Sequence, residues 1–127
     1  MILKEEREKI IEVCLYMLEK NLTNGTSGNV SIYNRELKIV AITPTGIPYN
    51  KLKPEDISIV DLQGNLIEGK RPSSEIEMHL INYRNRDDIH AIAHAHTIYS
   101  KICLQRHLNT NPFWHINKTT TTPYCRI

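Results

Sequence analysis

Residues 30–42 read Val-Ser-Ile-Tyr-Asn-Arg-Glu-Leu-Lys-Ile-Val-Ala-Ile, in which two apolar runs stand on either side of a polar turn. The runs are Val30–Tyr33 and Leu37–Ile42, and the turn between them is Asn34-Arg35-Glu36. Runs rich in β-branched and aromatic residues that flank a short polar turn are typical of a β-hairpin. The stretch therefore predicts two neighbouring antiparallel strands.

Further strand signals follow along the chain. Ile57–Asp61 alternates in polarity, and Leu66–Glu68 follows it after a turn that contains Gly64. Ile89–His94 is a short apolar run that comes after a strongly polar turn. Strands joined by tight turns predict a mainly antiparallel sheet with helices packed on it.

The first of these helices is predicted over Lys4–Lys20. Apolar residues recur there at helical spacing, and charged residues occupy the other face. The apolar face consists of Ile10, Ile11, Cys14, Leu15, Met17 and Leu18. We expect this face to pack on the sheet, with Cys14 as a buried thiol.

Two more helices are predicted downstream. Ser74 followed by Glu77 is a capping-box pattern, which predicts a helix with Ser74 as its N-cap. A third helix is predicted over Thr97–Gln105. Beyond it, residues 105–127 show no burial pattern, which predicts an irregular tail.

Composition excludes several classes of protein. The 127 residues suit one domain, and a net charge of +2 without a basic run gives no indication of nucleic-acid binding. No apolar stretch is of membrane-spanning length, and the first residues lack the pattern of a signal peptide. Three scattered cysteines do not make a disulfide framework, so we expect a cytoplasmic protein that acts without a membrane.

The end of the last predicted strand carries His94-Ala95-His96. Side chains two residues apart on a strand project from the same face, so His94 and His96 would stand side by side. Neutral imidazoles are preferred ligands of zinc and similar divalent metals. The alternative is one buried, hydrogen-bonded histidine beside a surface one.

Two other polar segments suit an anion. The loop Thr23–Asn29 contains two glycines that can direct backbone N–H groups to one point, and Ser73 and Ser74 stand at a helix start. An ordinary turn and simple capping are the alternatives. Glu75 follows directly, although a carboxylate there also interacts favourably with the helix dipole. A metal that polarises a carbonyl, with a carboxylate that moves a proton, suits C–C bond chemistry beside that carbonyl.

Four segments together resemble the successive motifs of the class II aldolase/adducin-type family, closest to its L-fuculose-1-phosphate aldolases. They are Asn24–Ser31, Ile42–Tyr49, Pro72–Glu75 and His94–His96. The resemblance implies an α/β fold of three layers, α/β/α, with a mainly antiparallel central sheet. It covers about residues 5 to 104, so residues 1–104 are identified as the amino-terminal part of a class II aldolase domain and 105–127 as a divergent tail.

The resemblance also implies roles for the matching residues. Glu75 matches the catalytic acid/base, which approaches the metal when substrate is absent. His94 and His96 match two of the three histidines that hold zinc. The residues that match the loops for the substrate phosphate are Gly28, Asn29, Thr45, Gly46, Ser73 and Ser74.

The implied activity is zinc-dependent cleavage of L-fuculose 1-phosphate, or a similar ketose 1-phosphate, to dihydroxyacetone phosphate and an aldehyde. Related epimerases tend to carry aspartate at the position of Glu75, and related dehydratases depart from the loop at Thr43–Tyr49. These matches favour an aldolase over a sugar-phosphate epimerase or dehydratase. The family commonly forms homotetramers with active sites at subunit interfaces.

The third zinc histidine of the family lies in a carboxyl-terminal part that has no counterpart in these 127 residues. His107 or His115 is an alternative third ligand. A second hypothesis is therefore a truncated, catalytically inactive aldolase fragment that keeps phosphate binding or self-association.

Overall fold

The computed structural model describes residues 1–24 and 26–96, and residues 1–95 form one compact unit. The α-helices and strands are α1 (Lys4–Glu19), β1 (Asn29–Asn34), β2 (Ile39–Ile42), β3 (Ser58–Asp61), β4 (Leu66–Glu68), α2 (Ile76–Asn85) and β5 (Ala91–His94). Two short 3-10 helices, Tyr49–Lys51 and Pro54–Asp56, lie between β2 and β3. The predicted helix Thr97–Gln105 and the predicted tail lie outside the described residues. Within the described ranges, no helix is long and apolar enough to cross a membrane.

The five strands form one sheet in the order β4-β3-β2-β1-β5, and every neighbouring pair is antiparallel. The predicted hairpin is confirmed, since β1 and β2 pair with Tyr33 opposite Val40. β5 joins the other edge of β1, where Asn29 lies opposite His94. The end of β5 therefore lies beside the beginning of β1.

Alternating side chains of the strands point to two separate cores. One core joins the sheet to α1 through Ile10, Cys14, Met17, Val30, Ala41 and Ile59. The other joins the opposite face to α2 through Tyr33, Val40, Val60, Leu80 and Tyr83. Each large apolar side chain buried in this way contributes roughly 1.5–3 kcal/mol. The three layers confirm the predicted α/β/α fold with a mainly antiparallel sheet.

The buried stripe of α1 differs from the predicted one at two positions. Cys14 is buried as predicted, and burial raises the pKa of its thiol to about 12. The prediction for Leu15 is wrong: its side chain is 46% exposed, because it lies beside the stripe and not on it. Arg7 extends the stripe and is 0% exposed. Its guanidinium is held by hydrogen bonds to the carbonyl oxygens of Ile2, Pro54 and Ile57 and to the carboxylate of Glu68.

The predicted cap of α2 is wrong by one residue. The helix begins at Ile76 with Glu75 as its N-cap, and no side chain caps it. The residue that makes the turn is Ser73: its carbonyl oxygen accepts from the N–H of Ile76 at 3.1 Å, and its Oγ accepts from the N–H of Glu75 at 3.3 Å. This turn takes the place of a Ser74 cap and leaves the carboxylate of Glu75 free to face β1.

Candidate metal centre

The predicted ligands Glu75, His94 and His96 come together where α2 begins and β5 ends. Nδ1 of His94 lies 3.1 Å from Oε2 of Glu75. One ligand atom from each of the three residues lies within 4.8 Å of the other two. The side chains of His94 and Glu75 are 22% and 40% exposed, so the group is open to solvent on one side.

This set of donor atoms fits zinc. Two imidazole nitrogens and a carboxylate oxygen are the ligands that zinc takes in proteins, and three protein ligands with one open position are typical of a catalytic zinc site. Ligand atoms in such a tetrahedron are about 3.3 Å apart, so small side-chain rotations would bring Glu75, His94 and His96 to one ion. His107 and His115, the predicted alternatives for another ligand, lie outside the described residues.

Asn29 connects this group to the interior of the protein. Its side chain is 1% exposed, and its Nδ2 donates a hydrogen bond to Oε2 of Glu75. Its Oδ1 contacts Nε2 of His79, which is itself completely buried. Sequence matching assigns Asn29 to the substrate phosphate, whereas here both ends of its amide are engaged with Glu75 and His79.

Two further buried groups continue the contacts beyond His79. Oγ of Ser31 lies 2.6 Å from Nδ1 of His79 and 2.6 Å from the hydroxyl of Tyr83. Burial lowers the pKa of His79 to about 4, so its imidazole is neutral at pH 7. Burial of Tyr83 raises the pKa of its hydroxyl to about 12, so this hydroxyl keeps its proton at pH 7.

Sequence reasoning did not assign His79, Ser31 and Tyr83 to this site. A signal for the two α2 residues is present, because Glu75, His79 and Tyr83 recur every four residues and therefore share one helical face. Ser31 lies two residues after Asn29 on β1, so both point to the same side of the sheet. The sequence does not indicate that these two faces meet.

Two of the predicted phosphate segments are held against each other. The N–H of Ser73 donates to the carbonyl oxygen of Thr43 at 3.1 Å, and the N–H of Thr45 donates to that of Arg71 at 3.0 Å. Ser73 is buried, whereas the other three predicted residues of these segments, Thr45, Gly46 and Ser74, are exposed. The exposed residues therefore lie on two paired segments, one of which leads directly into Glu75.

Gly28 lies against the backbone of the strand that carries His94. Its φ is +94°, and a Cβ at this position would lie 2.6 Å from the carbonyl oxygen of His94. Gly46 also has a positive φ, +75°, but a Cβ there would meet no atom within 4 Å. Close backbone packing thus explains Gly28 without any reference to phosphate.

Solved structures resemble this fold. An L-fuculose 1-phosphate aldolase is similar with a TM-score of 0.79 and 44% identity, over 84% of this chain and 51% of its own. The L-fuculose-1-phosphate aldolase from Thermus thermophilus is similar with a TM-score of 0.68 and 28% identity, over 84% of this chain and 53% of its own.

Curated proteins are similar in sequence. A 5-deoxy-D-ribulose 1-phosphate aldolase of Bacillus thuringiensis serovar kurstaki is 52% identical over 102 residues, which are 80% of this chain and 48% of that protein. An L-fuculose phosphate aldolase of Escherichia coli K12 is 43% identical over 91 residues, which are 72% of this chain and 41% of that protein. The chain thus spans about half the length of the curated relatives it matches.

The family match extends over most of the chain. Residues 8–124 match the sequence model of the family described as Class II Aldolase and Adducin N-terminal domain. The match includes all four of the motifs that carry the resemblance seen in the sequence, and it confirms that resemblance. The chain therefore belongs to the Class II Aldolase and Adducin N-terminal domain family.

Proposed function

We propose that this chain carries the reaction centre of a zinc-dependent aldolase that cleaves a ketose 1-phosphate to dihydroxyacetone phosphate and an aldehyde. The observation that carries the proposal is the contact of the Glu75 carboxylate with the His94 imidazole, in one group with His96. The similar proteins named for 5-deoxy-D-ribulose 1-phosphate and L-fuculose phosphate support the substrate class. Glutamate at position 75 supports an aldolase over the related epimerases.

The two sugar phosphates share the part of the molecule that reacts. Each is a 2-ketose with phosphate on C1, and cleavage between C3 and C4 releases the same ketone phosphate from both. The C4 hydroxyl loses its proton, the electrons of the C3–C4 bond move to the ketone half, and C3 then takes up a proton. The aldehyde is lactaldehyde from L-fuculose 1-phosphate and acetaldehyde from 5-deoxy-D-ribulose 1-phosphate. Zinc bound at the site would act as a Lewis acid that stabilises negative charge on the ketone half.

Glu75 is proposed to move the proton at C3 as the general acid/base. Both hydrogen bonds that the described residues provide to its carboxylate fall on Oε2. Oε1 is therefore the oxygen proposed to carry the proton, and the partial exposure of the side chain supports access by a substrate. We propose that the exposed Gly46 and Ser74 hold the phosphate through backbone N–H groups and the serine hydroxyl, since Thr45 and Ser73 already donate their N–H groups within the protein.

The proposal includes self-association to a homo-oligomer, for which the family resemblance to tetrameric aldolases is the support. It also includes a cytoplasmic location, supported by the free, buried thiol of Cys14.

Zinc content per chain, measured after purification without a chelator, tests the metal centre. We expect close to one zinc per chain in the wild type and its loss in His94→Ala. His90→Ala is the matched control, because it removes an exposed imidazole just before the same strand and outside the ligand group. Zinc that stays bound in both variants would contradict the assignment of His94.

Release of dihydroxyacetone phosphate from each of the two ketose 1-phosphates tests the reaction. Glu75→Gln removes the proton carrier and is expected to lower kcat by about 10²-fold or more. Unchanged turnover in this variant would refute the role of Glu75. Phosphate that protects the folded chain against heat without any turnover would instead support an inactive fragment that keeps phosphate binding.

A further inference from the structure

Four side chains form a continuous buried row behind the carboxylate of Glu75. In order from the carboxylate, the row consists of Asn29, His79, Ser31 and Tyr83. Each of the four is at most 2% exposed. They come from β1 and α2, with the contacting partners 46 to 52 residues apart in the sequence. The row therefore connects the carboxylate of Glu75 to buried side chains of both β1 and α2.

The directions of the first two hydrogen bonds follow from the carboxylate. An ionised carboxylate only accepts, so the Asn29 atom facing Glu75 is its NH₂ group and the atom facing His79 is its carbonyl oxygen. That oxygen only accepts as well. Nε2 of His79 must therefore carry a proton and donate it to Asn29.

The remaining directions follow from the neutral state of His79. With its proton on Nε2, the imidazole has a bare Nδ1, which accepts from the hydroxyl of Ser31 at 2.6 Å. The single hydroxyl proton of Ser31 is then used, so the hydroxyl of Tyr83 donates to Oγ of Ser31 at 2.6 Å. The carbonyl oxygen of Ser31 is farther from this hydroxyl, at 3.2 Å.

We propose that this buried row runs in one direction, from Tyr83 through Ser31, His79 and Asn29 to Oε2 of Glu75, and that it positions this carboxylate for proton transfer. His79 is then a positioning residue, because it is completely buried and acts on Glu75 through Asn29. The part that concerns proton transfer rests on the proposed function, whereas the direction of the hydrogen bonds does not. Since Oε2 is held by the row and by His94, Oε1 is presented to the reacting carbon.

The row has one arrangement because each alternative brings two like groups together. A flip of the Asn29 amide would place its oxygen against the carboxylate and its NH₂ group against the N–H of His79. The other tautomer of His79 would place two acceptors together at Asn29. Water does not reach these buried groups to satisfy such unpaired donors and acceptors. The buried row therefore fixes the orientation of the Glu75 carboxylate.

The tautomer of His79 can be observed directly in the full wild-type chain. Long-range ¹H–¹⁵N correlation spectra distinguish an imidazole protonated on Nε2 from one protonated on Nδ1 and from the imidazolium. At neutral pH we expect the neutral form with the proton on Nε2. The Nδ1 tautomer or an imidazolium would overturn the proposed direction. This measurement needs neither substrate nor metal, so its result does not depend on the proposed function.

Kinetic variants test the positioning role. His79→Leu removes the donor to Asn29 and is expected to lower kcat by about tenfold or more with little change in KM, whereas His79→Gln keeps an amide donor and should recover part of the loss. Tyr83→Phe removes only the last donor of the row and should have the smallest effect. If His79→Leu fails to fold, Tyr83→Phe takes its place, and a kcat equal to that of the wild type would then refute positioning.

Asn82→Ala is the control for a purely structural effect. Asn82 is a buried polar residue of α2 that donates to the carbonyl oxygen of Met78 and lies outside the row. Its loss should lower the free energy of unfolding without a specific fall in kcat. Equal kcat values in His79→Leu and Asn82→Ala, at a temperature where both are folded, would refute positioning. If the wild type shows no turnover, zinc affinity is measured in place of kcat. We expect zinc affinity to fall in His79→Leu and not in Asn82→Ala. Equal zinc affinities in the two variants would refute the positioning role of His79.

Discussion

Replacing Gly28 with alanine tests the contact between the loop before β1 and the strand that carries His94. Gly28 has a φ of +94°, and an added Cβ would lie 2.6 Å from the carbonyl oxygen of His94. Gly46→Ala is a matched comparison, because Gly46 has a φ of +75° and open space around the position of its Cβ. The pair separates the cost of a positive φ from the cost of a backbone collision.

The two costs can be assigned separately. Alanine in a left-handed conformation costs about 1–2 kcal/mol, and both variants bear this cost. Gly28→Ala must also displace a backbone atom in a packed region, and relieving such overpacking costs about 1–3 kcal/mol more. We therefore expect the free energy of unfolding to fall by about 1–2 kcal/mol in Gly46→Ala and by about 2–5 kcal/mol in Gly28→Ala.

Equilibrium unfolding in urea measures this difference, with equal m-values as the check that both variants unfold in one step. Because the displaced atom belongs to His94, Gly28→Ala should also weaken zinc binding in competition with a coloured chelator, whereas Gly46→Ala should not. Equal losses of stability in the two variants would refute the reasoning from the His94 contact.

Three other changes have defined outcomes. Arg7→Met should lower the free energy of unfolding by about 3–5 kcal/mol in urea titrations, because it leaves the Glu68 carboxylate and buried carbonyl oxygens without their donor. Glu68→Gln should lower it less, because the Glu68 side chain is 36% exposed. A larger loss in Glu68→Gln than in Arg7→Met would be inconsistent with these contacts. Tyr49→Phe should leave the free energy of unfolding unchanged or raise it by about 1–3 kcal/mol, because the buried hydroxyl has no hydrogen-bond partner among the described residues. A clear fall in the free energy of unfolding would reveal such a partner. The pKa of His79 is lowered from 6.5 to about 4 by burial, so the unfolded chain binds more protons than the folded one between these values. The contribution of His79 to the free energy of unfolding should therefore be fully present above about pH 6.5, and about 3 kcal/mol of it should be lost as the pH falls toward 4. A His79→Leu variant whose free energy of unfolding has the same pH dependence would contradict the assignment.

The sheet could be predicted because its signals are local. The hairpin of residues 30–42 contains both strands and their turn, and alternation along β1 to β3 assigns each side chain to one core. The burial of Arg7 could not be predicted in this way, since its partners Pro54 and Glu68 are 47 and 61 residues away. The capping-box pattern selects Ser74 wrongly because the carbonyl oxygen of Ser73 takes the N–H of Ile76, one of the two that a Ser74 cap would use, and only the turn geometry shows this.

Part of the candidate site could likewise be predicted from local sequence signals, and part of it could not. Glu75, His94 and His96 could be selected from their residue types and motifs, and the structure brings them together. The buried row was not predictable, although the spacing of His79 from Glu75 was visible, because its function depends on which face of β1 meets α2. That meeting is decided by strand pairing and packing over the whole sheet, and no short pattern records it.

The position of β5 in the sheet has a kinetic consequence. Strands β1 to β4 pair in the order in which they occur in the chain, whereas β5 returns to pair with β1 and closes the longest loop of the sheet. Closing a long loop has the larger entropic cost, so this pairing is expected late in folding. His94 reaches Glu75 and Asn29 only through that step. Zinc should therefore slow the unfolding of the finished protein and leave the early rate of refolding nearly unchanged.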